Sequence, residues 1–183
     1  MSAPRPPSAT TPTEPTPDLA PAPDVDPDAD PIALPGVLEP HAVRHLVVHC
    51  SATPDAEDIG AREIHAMHLG FGWHGIGYHR VVRRDGRVEA GRPDCWIGAH
   101  VRGHNAVSLG VCLIGCETFT DAQMDSLELV LRFWRETYPQ ATVCGHRDFP
   151  TTDKTCPNFD VAAFCAQRQL EAGPGIPGRD APA

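Results

Sequence analysis

No apolar run in the 183-residue chain approaches the roughly 20 residues a helix needs to cross a bilayer, so no membrane-spanning helix is expected. The opening residues, MSAPRPPSATTP, lack the apolar core of a secretory signal. The sequence thus shows no Sec route of its own, and synthesis in the cytoplasm is the expectation. Positive charge is also short. Fifteen Lys and Arg stand against 24 Asp and Glu, a formal charge of −9, which argues against general affinity for nucleic acid or anionic membrane. No internal repeat is present, which leaves out repeat architectures. Cysteine, by contrast, is not scarce. Seven is an odd number in a chain without a signal, which favours reduced thiols with at least one free or metal-bound. Cys112 and Cys116, if on one extended strand, would lie roughly 13 Å apart at ~3.3 Å per residue. That is beyond the about 7 Å between Cα atoms that a disulfide tolerates.

Composition divides the chain. Residues 1–40 hold 12 of the 20 prolines and seven acids against the single base Arg5, a net −6 of the total −9. Such a segment buries too little apolar surface to offset its ordering entropy, so a disordered, partly polyproline-like arm is expected. A solubilising linker is the simpler role for it, and a docking peptide the alternative. Residues 41–171 carry the hydrophobic pattern of one folded domain, and residues 172–183, Gly- and Pro-rich, form a tail.

Within the domain, residues 43–49 read as a strand buried on both faces around Leu46, Val47 and Val48. Asp58 is placed to cap a helix running to about Leu69, with Ala61, Ile64, Met67 and His68 on its inner face and Gly70 and Gly72 ending it. Residues 78–83 and 87–90 form a hairpin about a two-residue Asp85-Gly86 turn. The irregular run 91–105, GRPDCWIGAHVRGHN, reads as a functional surface loop. The most apolar run, residues 109–115, is the expected central strand. Thr120 and Gln123 make a capping box for a long helix whose inner stripe is Met124, Leu127, Leu131 and Trp134. A last strand covers 141–144, and Asp160 caps a final helix stapled by Phe159 and Phe164. The fold class is α/β, a mixed sheet covered by helices. Spacing alone does not set the strand order.

The stretch 145–157, GHRDFPTTDKTCP, places His146, Lys154 and Cys156 on one irregular connection. Imidazole nitrogen and thiolate are preferred zinc ligands, and a catalytic zinc commonly takes three protein ligands with one position left for water. His49, closing the first strand, is the candidate third ligand. Taken singly, a His ending a strand is more often capped or exposed, and a Cys more often a small buried hydrophobe. Lys154 is either a solvated loop charge or an electrophile beside a metal.

Four segments in this order, HLVVHCSAT, GIGYHRVVRRDGRVEAGR, GAHVRGHNAVSLGVCLIG and the HRD…KTCP loop, resemble the type-2 N-acetylmuramoyl-L-alanine amidases. The match is closest to amidase-type phage lysozymes and catalytic peptidoglycan recognition proteins, and it covers about residues 45–170. The resemblance implies a peptidoglycan recognition protein-like fold and a zinc amidase cutting between N-acetylmuramic acid and L-alanine of peptidoglycan. By position it implies His49, His146 and Cys156 as zinc ligands and Tyr78 and Lys154 as catalytic partners. At lower weight it brings His100, Asn105 and Trp73 to the substrate groove. His100 and Asn105 could equally be loop-stabilising hydrogen-bonders, and Trp73 could instead close the core behind the first helix. The other histidines, His65, His68, His74 and His79, read as structural or exposed, and Cys50, Cys95, Cys112, Cys144 and Cys165 as packing.

That chemistry suits the residues. Zinc on two neutral imidazoles and a thiolate lowers the pKa of its water from 15.7 towards about 7. Tyr78 and Lys154 are donors suited to the oxyanion and to the leaving amine, with the division between them left open. Three biological readings follow. The first is a phage endolysin made in the host cytoplasm and released through a holin. The second is a peptidoglycan-binding module that no longer cuts, and the third a secreted antibacterial effector docked through its arm. The expected partner is peptidoglycan and the expected state a monomer. A phage member of the family also binds RNA polymerase, and nothing in these residues reports on that activity.

Overall fold

The computed structural model describes residues 35–170. The expected arm up to residue 34 and the tail from 171 lie outside the described residues. Five strands form one sheet: β1 (His45–Cys50), β2 (Arg80–Val82), β3 (Val88–Ala90), β4 (Ser108–Leu113) and β5 (Thr142–Gly145), in the order β3-β2-β4-β1-β5. β1 runs parallel to β4 and β5, and β2 parallel to β4, while β2 and β3 are an antiparallel hairpin. The sheet is therefore mixed, as expected, with its longest strands at the centre.

Alternation along β1 and β4 splits their side chains between two faces. Leu46, Val48, Leu109, Val111 and Leu113 pack against helices α2 (Asp121–Thr137) and α3 (Val161–Gln167) through Leu127, Leu131, Trp134, Val161 and Phe164. The opposite face carries Val47 with Val101, Cys144 and Phe149, and Cys112 with Ile64 of α1 (Ala61–Gly70), Ile76, Val81 and Ile114. His49, two residues after Val47, belongs to this second face.

The α2 and α3 termini form as the sequence predicts. Thr120 Oγ1 accepts from Gln123 N–H and Gln123 Oε1 from Thr120 N–H, both at 3.1 Å. Asp160 Oδ1 accepts from Ala163 N–H at 2.9 Å, and the Phe159 and Phe164 rings meet edge-on at 6.1 Å.

Elsewhere the structure departs from expectation. Asp58 does not cap α1. Its carboxylate takes Arg83 and the Arg84 N–H, while the helix starts after Gly60. Glu63 accepts from Gly60 N–H at 2.8 Å, and Glu89 on β3 accepts from Ala61 N–H at 2.7 Å, so the hairpin supplies part of the cap. Met67 is 38% exposed, and the inner face of α1 is Ile64 and His68. The hairpin loop spans three residues, closed by Arg83 N–H to Arg87 O and Gly86 N–H to Arg83 O, with Gly86 at φ 86°. Cys95 is exposed rather than packed. Leu38 is 1% exposed in the core, so packing starts before His41.

Candidate metal centre

Parallel pairing of β1 and β5 builds the centre. Their register sets Val48 opposite Gly145, so the next residue of each strand, His49 and His146, emerges at the same sheet edge although 97 positions separate them. A short 3-10 turn (His146–Asp148) opens the metal loop, and Arg147 N–H donates to Cys156 O at 2.8 Å, folding the far end of the loop back onto its start. Gly145 permits the overlap, since a Cβ there would stand 2.9 Å from Pro157 Cδ. Cys156 is thereby brought to β1, where Cys50 N–H donates to its Sγ at 3.2 Å.

One ligand atom from each of His49, His146 and Cys156 lies within 4.8 Å of the others, and Cys156 Sγ is 3.9 Å from His49 Nδ1. Tetrahedral zinc at ordinary bond lengths spaces such atoms by roughly 3.3–3.6 Å. The cluster needs only a small contraction, and its donor set of two imidazoles and a thiol is one zinc favours, so the residues fit that metal. Both histidines are held neutral, as ligation requires. Burial drives His49 well below its ordinary value, with His100, His146 and Lys154 adding in the same direction. Burial and then the Lys154 ammonium bring His146 down to about 4. Lys154 is the sole lysine of the chain, the other 14 of its 15 basic residues being arginine.

The second nitrogen of His49 is engaged too. His49 Nε2 lies 3.0 Å from His100 Nδ1. His100 is 9% exposed and occupies a slot between two glycines. A Cβ at Gly98 would come within 2.4 Å of its ring, and one at Gly110 within 2.7 Å. Asn105 Oδ1 accepts from the N–H of His100 at 2.8 Å and of Val101 at 2.9 Å, bracing this turn. Beneath it, His79 Nδ1 accepts from Gly110 N–H at 3.0 Å.

Tyr78, just before β2, sets its ring 5.1 Å from that of His49. Burial, reinforced by the thiols of Cys112, Cys156 and Cys50, holds its phenol well above the ordinary value, so it stays a protonated donor. A row of rings leads away from it: Tyr78 to His68 at 5.5 Å, then His68 to half-buried Trp73 at 4.5 Å. His65 and His68 accept the N–H groups of Ile76 and Gly77, and His74 is exposed, which matches their reading as structural or exposed residues.

Sequence reasoning missed two features. Cys50 touches the metal loop rather than merely filling space, and Gly98 and Gly110 make the slot for His100. A glycine inside the most apolar strand was the available signal, because such a position marks a close approach.

Comparison with known proteins agrees with this geometry. The profile of the N-acetylmuramoyl-L-alanine amidase family matches residues 39–159. The chain is 46% identical over 131 residues to the endolysin of Enterobacteria phage K11, covering 67% of this chain and 85% of that protein. It is 38% identical over 133 residues to the endolysin of Escherichia phage T7, covering 68% and 87%. Among solved structures, the amidase LysC of Clostridium intestinale superposes with a TM-score of 0.62 at 27% identity, over 76% of this chain and 96% of that one. The chain belongs to the N-acetylmuramoyl-L-alanine amidase family.

Proposed function

We propose that this peptidoglycan amidase is zinc-dependent, with His49, His146 and Cys156 holding the metal and Tyr78 and Lys154 acting on the substrate amide. The observation that carries the proposal is the convergence of two imidazoles and a thiol within 4.8 Å, beside the half-buried Tyr78 phenol. When bound, zinc supplies a Lewis acid that polarises the amide carbonyl and activates water.

The chain's own residues do the rest. Tyr78, kept protonated by burial, donates its O–H to oxygen that gains charge as the carbonyl is attacked. Lys154 brings a compact positive charge to the same side, near enough to depress both histidines. Either group can deliver the proton that the leaving L-alanine nitrogen needs. His100 accepts from His49 Nε2–H, which keeps Nδ1 free to ligate and orients the ring. Asn105 braces the turn that carries His100, so both support the substrate surface from beneath it. Trp73, at the end of the ring row, lines the surface along which a stem peptide would lie.

The biological role that fits best is that of a phage endolysin, made in the host cytoplasm and acting on the wall after release. Endolysins among the relatives, matched over most of their length, support it. Digestion of purified peptidoglycan with and without a chelator, analysed by mass, tests the proposal. Intact glycan strands and free stem peptides bearing an L-alanine amine are expected, with no products under chelation. Chelator-resistant cutting would remove the metal from the mechanism, and cutting within the glycan would remove the amide assignment.

A further inference from the structure

Three thiols meet at the metal loop, although hydrolysis calls for only one. Cys156 is the sulfur member of the metal cluster. Cys50 follows His49, is 5% exposed, and touches Cys156 through both of its backbone polar groups. Its N–H donates to Cys156 Sγ at 3.2 Å, and its carbonyl lies 3.9 Å from the same sulfur. A sulfur resting on a residue's own backbone is only a short rotation from that residue's side chain.

The third thiol, Cys116, comes from the segment after β4. Asn158, in the left-handed region at φ 69°, turns its amide between the outer two sulfurs. Its Nδ2 is 3.9 Å from Cys50 Sγ, 3.4 Å from Cys116 Sγ and 2.8 Å from Cys116 O. The thiols thus run from the metal cluster outwards, Cys156, Cys50, Cys116, and none is paired.

We propose that Cys50 and Cys156 form a peroxide-modifiable pair whose disulfide withdraws the sulfur ligand from the metal cluster. The oxidant is hydrogen peroxide. The Cys156 sulfur attacks one peroxide oxygen, the O–O bond breaks, and a sulfenic acid and one water form. The Cys50 sulfur then displaces the sulfenic oxygen, which leaves as a second water once protonated, and the S–S bond closes. Two thiols lose two electrons to one peroxide, and their two protons end in the two waters. The cluster is left with two imidazoles, fewer than the three ligands a catalytic zinc commonly has, so the metal leaves. A thiol reductant reverses the change. Placed one residue after a ligand, Cys50 also intercepts the sulfenic acid before further oxidation makes the damage permanent.

The zinc consequence rests on the proposed metal centre, whereas the disulfide can be read without it. The full chain, metal-loaded and metal-free, is treated with hydrogen peroxide, alkylated, digested without reduction and analysed by mass spectrometry, with released zinc followed by a chromophoric chelator. A peptide pair linked through Cys50 and Cys156 is expected in both samples, together with zinc loss from the loaded one, all reversed by dithiothreitol. Cys116→Ser should retain the link, whereas Cys50→Ala, with no resolving thiol, should lose its zinc with Cys156 carried on to sulfinic acid, a loss dithiothreitol does not reverse. In the parent, a Cys50–Cys116 link, or Cys156 driven to sulfinic acid without any link, would overturn the proposal. Zinc loss from Cys50→Ala that dithiothreitol reverses as fully as in the parent would do the same. If Cys50→Ala does not fold, the linked peptide in the parent decides alone. A link without zinc release would spare the pair and count against the metal centre instead.

Discussion

His100 is the residue on which the site's geometry makes the sharpest demand. Its Nδ1 is 3.0 Å from His49 Nε2, and both rings are buried. If His49 ligates through Nδ1, its Nε2 carries a proton and needs an acceptor, which His100 provides. Two near-isosteric substitutions separate that role from packing. His100→Asn puts Oδ1 where Nδ1 stood and keeps an acceptor, whereas His100→Leu puts a methyl group there. The leucine variant leaves a buried N–H unpaired, at a cost of about 1–3 kcal/mol. Losing an outer partner of a ligating histidine typically weakens metal affinity 10–100-fold, or roughly 1.4–2.7 kcal/mol, in the same range. Zinc affinity is measured by competition with a chromophoric chelator, with wall binding and metal-free melting temperature as controls. The leucine variant should lose 10–100-fold and the asparagine variant only a small part of that. Parent-like affinity in His100→Leu, or equal loss in both variants, would refute the reasoning. Weaker wall binding with zinc affinity intact would make His100 a direct substrate contact.

Removing either donor should affect turnover more than binding. Tyr78→Phe and Lys154→Met should each lose ~10²–10³ in turnover, about 3–4 kcal/mol, while holding zinc and cell wall. Parent-like cutting by Tyr78→Phe would return Tyr78 to packing. Cys156→Ser should come out of metal-free purification with little zinc, and full zinc content would strike Cys156 from the ligands. Deleting residues 1–34 should leave melting temperature and cutting of isolated wall unchanged. Deleting through residue 40 also removes Leu38, which is 1% exposed, and should cost about 1.5–3 kcal/mol of stability. Equal melting temperatures for the two truncations would take Leu38 out of the core. Acid should destabilise the metal-free protein through His79, which burial brings down to about 4. The unfolded chain then binds the proton first, so stability falls as pH drops from about 6.5 towards 4, by up to roughly 1.4 kcal/mol per pH unit for that group. A urea midpoint unchanged over that interval would contradict this.

Local signals reported local structure well. Thr120 with Gln123, the Leu127–Leu131–Trp134 stripe and Asp160 each act within one or two turns of helix, so the helices they define were legible without the rest of the chain. The start of α1 was not, because Gly60 has no side chain to cap with and the help comes from Glu89 across space. Strand order was equally hidden. That β1 lies between β4 and β5 depends on which faces pack on α2 and α3, and no single strand carries that information. Within the site, residue type and the family resemblance pointed to His49, His146 and Cys156, and the structure brings them together. His100 sits on an irregular turn, where periodicity says nothing about direction, so only the folded chain reveals that it lies behind His49. The lone lysine was a signal left unused. A chain that takes arginine 14 times out of 15 places its one compact ammonium on the metal loop.

The parallel pairing of the first strand with the last has a consequence for how the protein comes into being. His45 pairs with Thr142, and the sulfur at residue 156 follows later still. During synthesis, His49 and Tyr78 leave the ribosome early, with no partner strand on one side and no loop to close over them. Contacts this distant in sequence form late, since a long loop must close before they give any return. Because a preformed site rarely exists before folding, tight metal capture at the proposed centre would wait for the same event. The nascent chain is therefore inert for nearly its whole synthesis, and competence arrives at once, when β5 docks and the metal loop folds back.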